Sequence, residues 1–349
     1  MSENQCWSHY IASPLRCFRR AGHFAGYSLL LVAGLPLSAQ AEPDWVQLTW
    51  ENDLFVGEDD GYTNGLGFSW GHRDLTGAED PSLPGWIAFL AGGAYIANLP
   101  QREYAVSYGI GQTMYTPDDI SAAQVLDSDR PYAGLLFWSG AIYAFDRLRA
   151  DRLSLTLGVV GPAAGAKHSQ KLVHSVSGAE EPQGWSNQLE NEPVFAIEAQ
   201  RLWRLGQGRL GSLELDGIGG GSAQIGNLAS SVATGLTLRV GSRLASTWSG
   251  VSLVPARTIN SFASDRLSSW QFYVSVTGRY VANDITLDGN TFEDSHSVPL
   301  KHGQGLASAG LAFNRGHWAT SLSYQIGTDQ YEGQNNETRF GSLAITYLF

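Results

Sequence analysis

The chain closes on Ser342-Leu343-Ala344-Ile345-Thr346-Tyr347-Leu348-Phe349, and the rest is best read outward from this stretch. Leu343, Ile345, Tyr347 and Phe349 alternate with Ser342, Ala344 and Thr346, so large apolar side chains share one face and small ones the other. A repeat of two is that of a β-strand, whose successive side chains point to opposite faces.

The same rhythm recurs upstream in 103–112, 152–161, 193–203, 209–219, 270–280 and 317–327, and again in 45–50, 62–71, 132–145, 231–240 and 305–314. With the last strand these make twelve, most of them near the ~9–11 residues that a tilted membrane-spanning strand needs. Twelve is even, as a single-chain bacterial barrel requires. Composition points the same way: 43% hydrophobic, only 16% charged, 41 Gly and 11 Trp, against roughly 25% charged in ordinary soluble proteins. No charge-free apolar run reaches the ~18 residues of a helical span, which leaves the closed barrel as the other architecture a bilayer permits. A net charge of −11 excludes the basic profile of a nucleic-acid binder. Soluble β-sandwiches also alternate, but the export signal, the aromatic content and the closing Phe349 favour the membrane. A final strand ending on Phe349 resembles the signal by which outer-membrane barrels engage their assembly machinery.

Residues 1–41 read as a cleaved secretory signal. Arg16, Arg19 and Arg20 precede an apolar stretch, and Ala39-Gln40-Ala41 fits a small-x-small cleavage site. Cys6 and Cys17 lie in that segment, so the mature chain carries no thiol and no disulfide. The expected fold is all-β: one domain over 42–349, a 12-stranded antiparallel transmembrane β-barrel with a short helix in an extracellular loop. With the N-terminus in the periplasm, the extracellular connections are 51–61, 113–131, 162–192, 220–230, 281–304 and 328–337. Short periplasmic turns fall at 146–151, 204–208 and 315–316; the stretches 72–102 and 241–269 are longer than that pattern predicts. Trp86-Ile87-Ala88-Phe89-Leu90 in the first of them is expected at the inner membrane face of the barrel.

Three polar constellations fall on the extracellular side. Glu51-Asn52-Asp53 faces Tyr62-Thr63-Asn64-Gly65 across the first hairpin, and Asn52, Asp53 and Thr63 offer hard oxygen ligands of the kind that suit Ca²⁺. A polar hairpin with Asx turns explains the same residues. In 162–192, the run from Ala166 to Val176 reads as a helix ended by Gly178, with Gln170 and His174 on one face and Glu180 just beyond. A carboxylate on one ring nitrogen leaves the other free to accept a proton, although a histidine in a surface loop is also simply solvated. His168 has no comparably placed acid. Third, Arg130 in Asp129-Arg130-Pro131-Tyr132-Ala133-Gly134 is a fork suited to phosphate oxygens, with Lys171 a further candidate. An ion pair with Asp127 or Asp129 is the plainer reading of Arg130. Serine-elbow, phosphate-loop and zinc-histidine motifs are absent from the sequence.

Taken together, several motifs resemble the lipid A 3'-O-deacylase family. They are Glu51-Asn52-Asp53-Leu54-Phe55, Tyr62-Thr63-Asn64-Gly65, Asp129-Arg130-Pro131-Tyr132-Ala133-Gly134, Gly161-Pro162, Gln170, His174, Pro182-Gln183-Gly184-Trp185, Gln188-Leu189, Asn191-Glu192 and Leu287-Asp288-Gly289-Asn290-Thr291-Phe292. The resemblance implies a monomeric outer-membrane barrel that removes the 3'-linked acyl chains of lipid A with Ca²⁺ as cofactor. It implies a site between the barrel wall and a loop helix, facing the outer leaflet. Carried onto this chain, His174 is the base and Glu180 orients it, while Asn52, Asp53 and Thr63 form the calcium and oxyanion end. Some relatives have a second Asp where this chain has Leu54, one possible ligand fewer. Implied partners are lipopolysaccharide, the surrounding lipids and the assembly machinery. An outer-membrane phospholipase A would need a serine beside a histidine, and no such pair stands out. A passive channel would need an open, charged lumen.

Overall fold

The computed structural model describes residues 42–52, 61–77, 80–81, 83, 87, 94–177, 181–248 and 268–349. The alternating segments become β1 (Trp45–Asn52), β2 (Gly61–Leu75), β3 (Glu103–Thr116), β4 (Ala133–Phe145), β5 (Arg149–Val160) and β6 (Glu192–Leu210). They continue as β7 (Leu213–Ile225), β8 (Ala229–Gly241), β9 (Ser269–Asp284), β10 (Gly303–Arg315), β11 (Trp318–Gly327) and β12 (Thr338–Leu348). Every strand is antiparallel to its neighbours, and β1 pairs with β12 from Trp45↔Leu348 to Asn52↔Gly341. The closing strand quoted above therefore seals the sheet, which leaves no edge with unpaired amides.

Side-chain parity separates the two faces of the wall. Outside stand Leu48, Leu66, Phe68, Ile110, Leu136, Val276 and Leu322, all exposed. Inside stand Gln47, Ser69, Ser107, Thr113, Ser154 and Thr346, all buried. The lumen is crossed by charge as well, with Arg152 Nη1 2.6 Å from Glu198 Oε2. At the lower rim, where the short turns lie, Asp216 holds Arg204 at 3.2 Å and Arg239 at 2.6 Å. These arginines in turn fix a plug: Arg239 donates to Leu244 O, and Arg204 to Ala245 O and Thr247 O. Trp248 then packs on Ala150, Leu202 and Ile218. So the start of the long 241–269 stretch folds back into the mouth; 249–267 lie outside the described residues.

Three boundaries differ from the sequence reading. The β6–β7 turn is not at 204–208 but at Gly211 and Ser212, with Gly211 at φ +61°. Gly206 and Gly208 look like turn residues in sequence. Instead, a bulge between Arg204 and Gly206 absorbs the irregularity and the strand runs on. The 220–230 connection shrinks to 226–228, because Gly219-Gly220-Gly221 stays paired within β7. In 72–102, β2 continues to Leu75. Leu83, Ile87 and Ile96 then pack outside the barrel on Tyr104, Val106, Tyr108 and Ile142, so this stretch coats the lower outer wall. Of the aromatic run expected there, only Ile87 lies within the described residues.

Removing Asp216 strands two buried guanidiniums. Asp216→Ala is expected to cost about 3–5 kcal/mol, read as a fall in the temperature at which the barrel unfolds on a semi-native gel. Because the plug is seated in the lower mouth, the wild-type protein reconstituted in a planar bilayer is expected to show no steady conductance.

Candidate active site

At the upper rim the outward face of the first four strands changes character. Asn52 on β1 stands opposite Asn64 on β2, Asn64 opposite Met114 on β3, and Met114 opposite Gly134 on β4. This row lies where a lipid-facing wall should be apolar, yet Asn52, Asn64 and Met114 are all buried. The connection between β5 and β6 provides part of the cover. Gly161 and Gly165 adopt positive φ (104° and 72°) on either side of a 3-10 turn, Pro162–Ala164, and turn the chain back along the wall. Helix α1 (Ala166–Ser177) follows, as expected; Gly178 lies outside the described residues.

Contact between α1 and the wall is close. A Cβ on Gly134 would sit 2.5 Å from Ala166 Cβ, so only glycine admits the helix there. Gln112, another polar residue on the outward face, donates through Nε2 to Ala164 O at 2.6 Å. Helical spacing puts Gln170 and His174 on the buried face, at 1% and 3% exposure. Lys167, His168 and Lys171 project to solvent, so of the two loop histidines it is His174 that the helix buries. Trp185 Nε1 donates to Gln170 Oε1 at 2.6 Å, and its ring packs against Tyr132 at 5.0 Å. This contact braces the helix from the far side. It also fixes the Gln170 amide so that Nε2 is buried with no hydrogen-bond partner. Asn64 Oδ1 is likewise buried without a donor, both statements holding among the described residues. Unsatisfied buried groups cost about 1–3 kcal/mol each, and here one acceptor and one donor occur on the two elements in question.

The sequence-derived candidates distribute unevenly. Asn52 and His174 are buried on the wall and the helix respectively. Thr63 is the extra residue of a bulge between Tyr62↔Tyr115 and Asn64↔Met114, a device that re-aims side chains near sites. Asp53 and Glu180, and the side chain of Thr63, lie outside the described residues. Among the described residues, no three His, Cys, Asp or Glu side chains cluster as a metal site. The amide oxygen of Asn64, opposite Asn52, is of the hard oxygen type that Ca²⁺ accepts.

Arg130 and Lys171 are not brought to this face. Arg130 is buried in the barrel mouth, its guanidinium 4.6 Å from the Tyr115 ring centroid and donating to Thr286 Oγ1 at 3.2 Å. Its neighbour Asp129 accepts from Tyr331 OH at 2.7 Å and from the amide of Asp118 at 2.8 Å. Burial, and then the Asp129 carboxylate, push the Tyr331 phenol well above its ordinary range. This network ties the loops over the mouth together. Lys171 is exposed and 3.4 Å from Glu181. The polar outward positions Asn64 and Gln112 were legible in principle, because strand parity puts both on the lipid side.

Gly134→Val is expected to lift α1 from the wall. Limited proteolysis should then cut within 166–190 while the unfolding temperature of the barrel changes little; wild-type resistance in the variant would show that the helix is not seated on Gly134.

A profile of the outer membrane protein LpxR family matches residues 25–349. The structure is similar to that of LpxR from Salmonella typhimurium, at TM-score 0.71 and 20% identity over 87% of this chain and 100% of that one. The β domain of the Bordetella autotransporter BrkA matches at TM-score 0.42 and 10% identity over 87% and 98%, too distant to inform the site. No curated protein sequence matches the chain. The profile covers nearly the whole sequence, and the closed barrel agrees with it: the chain belongs to the outer membrane protein LpxR family.

Proposed function

We propose that this protein is a calcium-dependent lipid A 3'-O-deacylase whose site faces the outer leaflet of the outer membrane. The observation that carries this reading is the buried Gln170–His174 face of α1, held on the lipid-facing side of the wall. An ester buried in a bilayer leaflet reaches an enzyme from the side, along the outer wall, and not through the lumen. The helix geometry supports a single cleft. Ala166 sits over β4, and His174 comes eight residues later, ~12 Å along a helix rising 1.5 Å per residue. Strands are spaced ~4.8 Å apart; the helix contacts β4 and β3, and in this reading it continues across the wall so that His174 faces Asn64 and Asn52.

In this reading His174 takes a proton from a water that attacks the acyl carbonyl, and Glu180 holds the other ring nitrogen. The C–O ester bond breaks, and the same proton passes to the departing sugar oxygen. Gln170 keeps the helix face in register through Trp185. Asn52, Asp53 and Thr63 would hold calcium, which when bound polarises the ester carbonyl and offsets the developing negative charge. Residues 1–41 act as the export signal, Phe349 as the assembly signal, and the barrel works as a monomer. Arg130 holds the loops over the mouth through Thr286 and Tyr115.

Mass spectrometry of lipid A incubated with the detergent-folded protein tests the proposal. Loss of the 3'-linked acyl unit is expected with calcium, and not with a chelator. His174→Ala should reduce the rate at least a hundredfold, whereas His168→Ala, on the solvent face, should leave it within twofold. Hydrolysis of phospholipid with lipid A untouched would support the phospholipase reading instead, and no change in either lipid would remove the enzymatic one.

A further inference from the structure

The outward face of the wall carries charge at a second place, the lower rim of β5 and β6. Asp151 and Arg201 stand opposite each other there, and Arg149 opposite Trp203, all on the same face as Leu153 and Leu155. The Asp151 side chain is fully buried, with Arg201 Nε at 2.5 Å and Arg149 Nε at 3.3 Å. Arg201 also lies over the Tyr95 ring at 5.3 Å. Tyr95 opens the 3-10 turn Tyr95–Asn98, which Tyr104 pins by donating to Ile96 O at 3.0 Å. Two arginines thus share one carboxylate, and the adjacent Arg102 is already matched by Asp146 at 2.7 Å.

Among the described residues the cluster therefore keeps one positive charge in excess, on a chain whose net charge is −11. Both arginine side chains remain about a third exposed, 31% for Arg149 and 35% for Arg201. Arg201 donates through Nε to Asp151 Oδ1, whereas Arg149 Nε stands 3.3 Å from Asp151 Oδ2 as an ion pair without a hydrogen bond, so one carboxylate leaves both guanidiniums only partly matched. Arginine on a lipid-facing wall costs about 2–4 kcal/mol at the bilayer midplane and nearly nothing at its interfaces. Trp203 and Leu205 follow Arg201 on the same face, both exposed, and an exposed tryptophan marks the interfacial level. A pre-positioned pair of guanidiniums at headgroup depth, short of one anion, matches the oxygens of a phosphate.

We propose that Arg149 and Arg201 bind the phosphate of a phospholipid in the leaflet at the lower rim, away from the acyl-hydrolysing cleft. The orientation rests on the reading above, in which the lower rim faces the periplasm; the binding itself does not depend on catalysis. Native mass spectrometry of the full chain in detergent, titrated with phosphatidylglycerol, tests it against the double variant Arg149→Gln/Arg201→Gln. The double variant is expected to lose at least tenfold in apparent affinity, and inorganic phosphate should not compete at equal concentration. Arg201→Lys, which keeps a partner for Asp151, should retain the wild-type unfolding temperature and most of the binding, which separates a lost site from a damaged fold. Equal phosphatidylglycerol binding by wild type and the double variant would overturn the proposal, as would full competition by free phosphate. Preferential capture of lipid A by these arginines would overturn the assigned leaflet. A protein inactive on lipid A that still shows the tenfold difference would contradict only the proposed reaction.

Discussion

A bilayer offers no hydrogen bonds to a strand, so each backbone amide of the wall must be paired with a neighbouring strand. Pairing β1 with β12 meets that demand, and its consequence reaches the side chains. Once the sheet is closed, its outer face is either apolar, at headgroup depth, or covered by another part of the chain. Two of the places where polar groups stand on the outer wall show this rule at work. Asn52, Asn64 and Gln112 lie at the upper rim, where Gln112 meets the turn leading into α1. Asp151 lies at the lower rim beside the coating stretch that carries Tyr95.

The interior follows different rules. Arg152, Arg204 and Arg239 inside the barrel are matched by carboxylates and plug carbonyls, while Arg279 is held by Gln304 beside a cavity lined by Tyr115 and Phe340. The same β5–β6 connection that carries α1 also sends Leu189 inward to pack on Leu135 and Val160, anchoring the loop through the rim.

Much of this was legible in the sequence, for physical reasons. Period-two alternation is enforced by lipid on one side and crowding on the other, so the strands from Trp45 to Leu348 and their parity could be read directly. Helix α1 was legible because Gln170 and His174 share a face. The β6–β7 turn was not, because Gly206 and Gly208 carry the same local signature as a turn and only pairing with β7 decides between them. The inward aim of Arg130 was hidden for a similar reason. Its sequence neighbours lie near the rim, but whether a rim residue points outward or into the mouth depends on Tyr115 and Thr286, which are remote in sequence.

In the proposed reaction the α1 face and the asparagine row of the wall act on one reacting ester across one cleft. A double-mutant cycle on the lipid A deacylation rate, with His174→Ala, Asn52→Ala and the combined variant, addresses it directly. Residues that serve the same transition state are strongly non-additive, so the combined variant should be little slower than His174→Ala alone. If the two losses multiply instead, helix and wall act independently, and the single-cleft account is wrong.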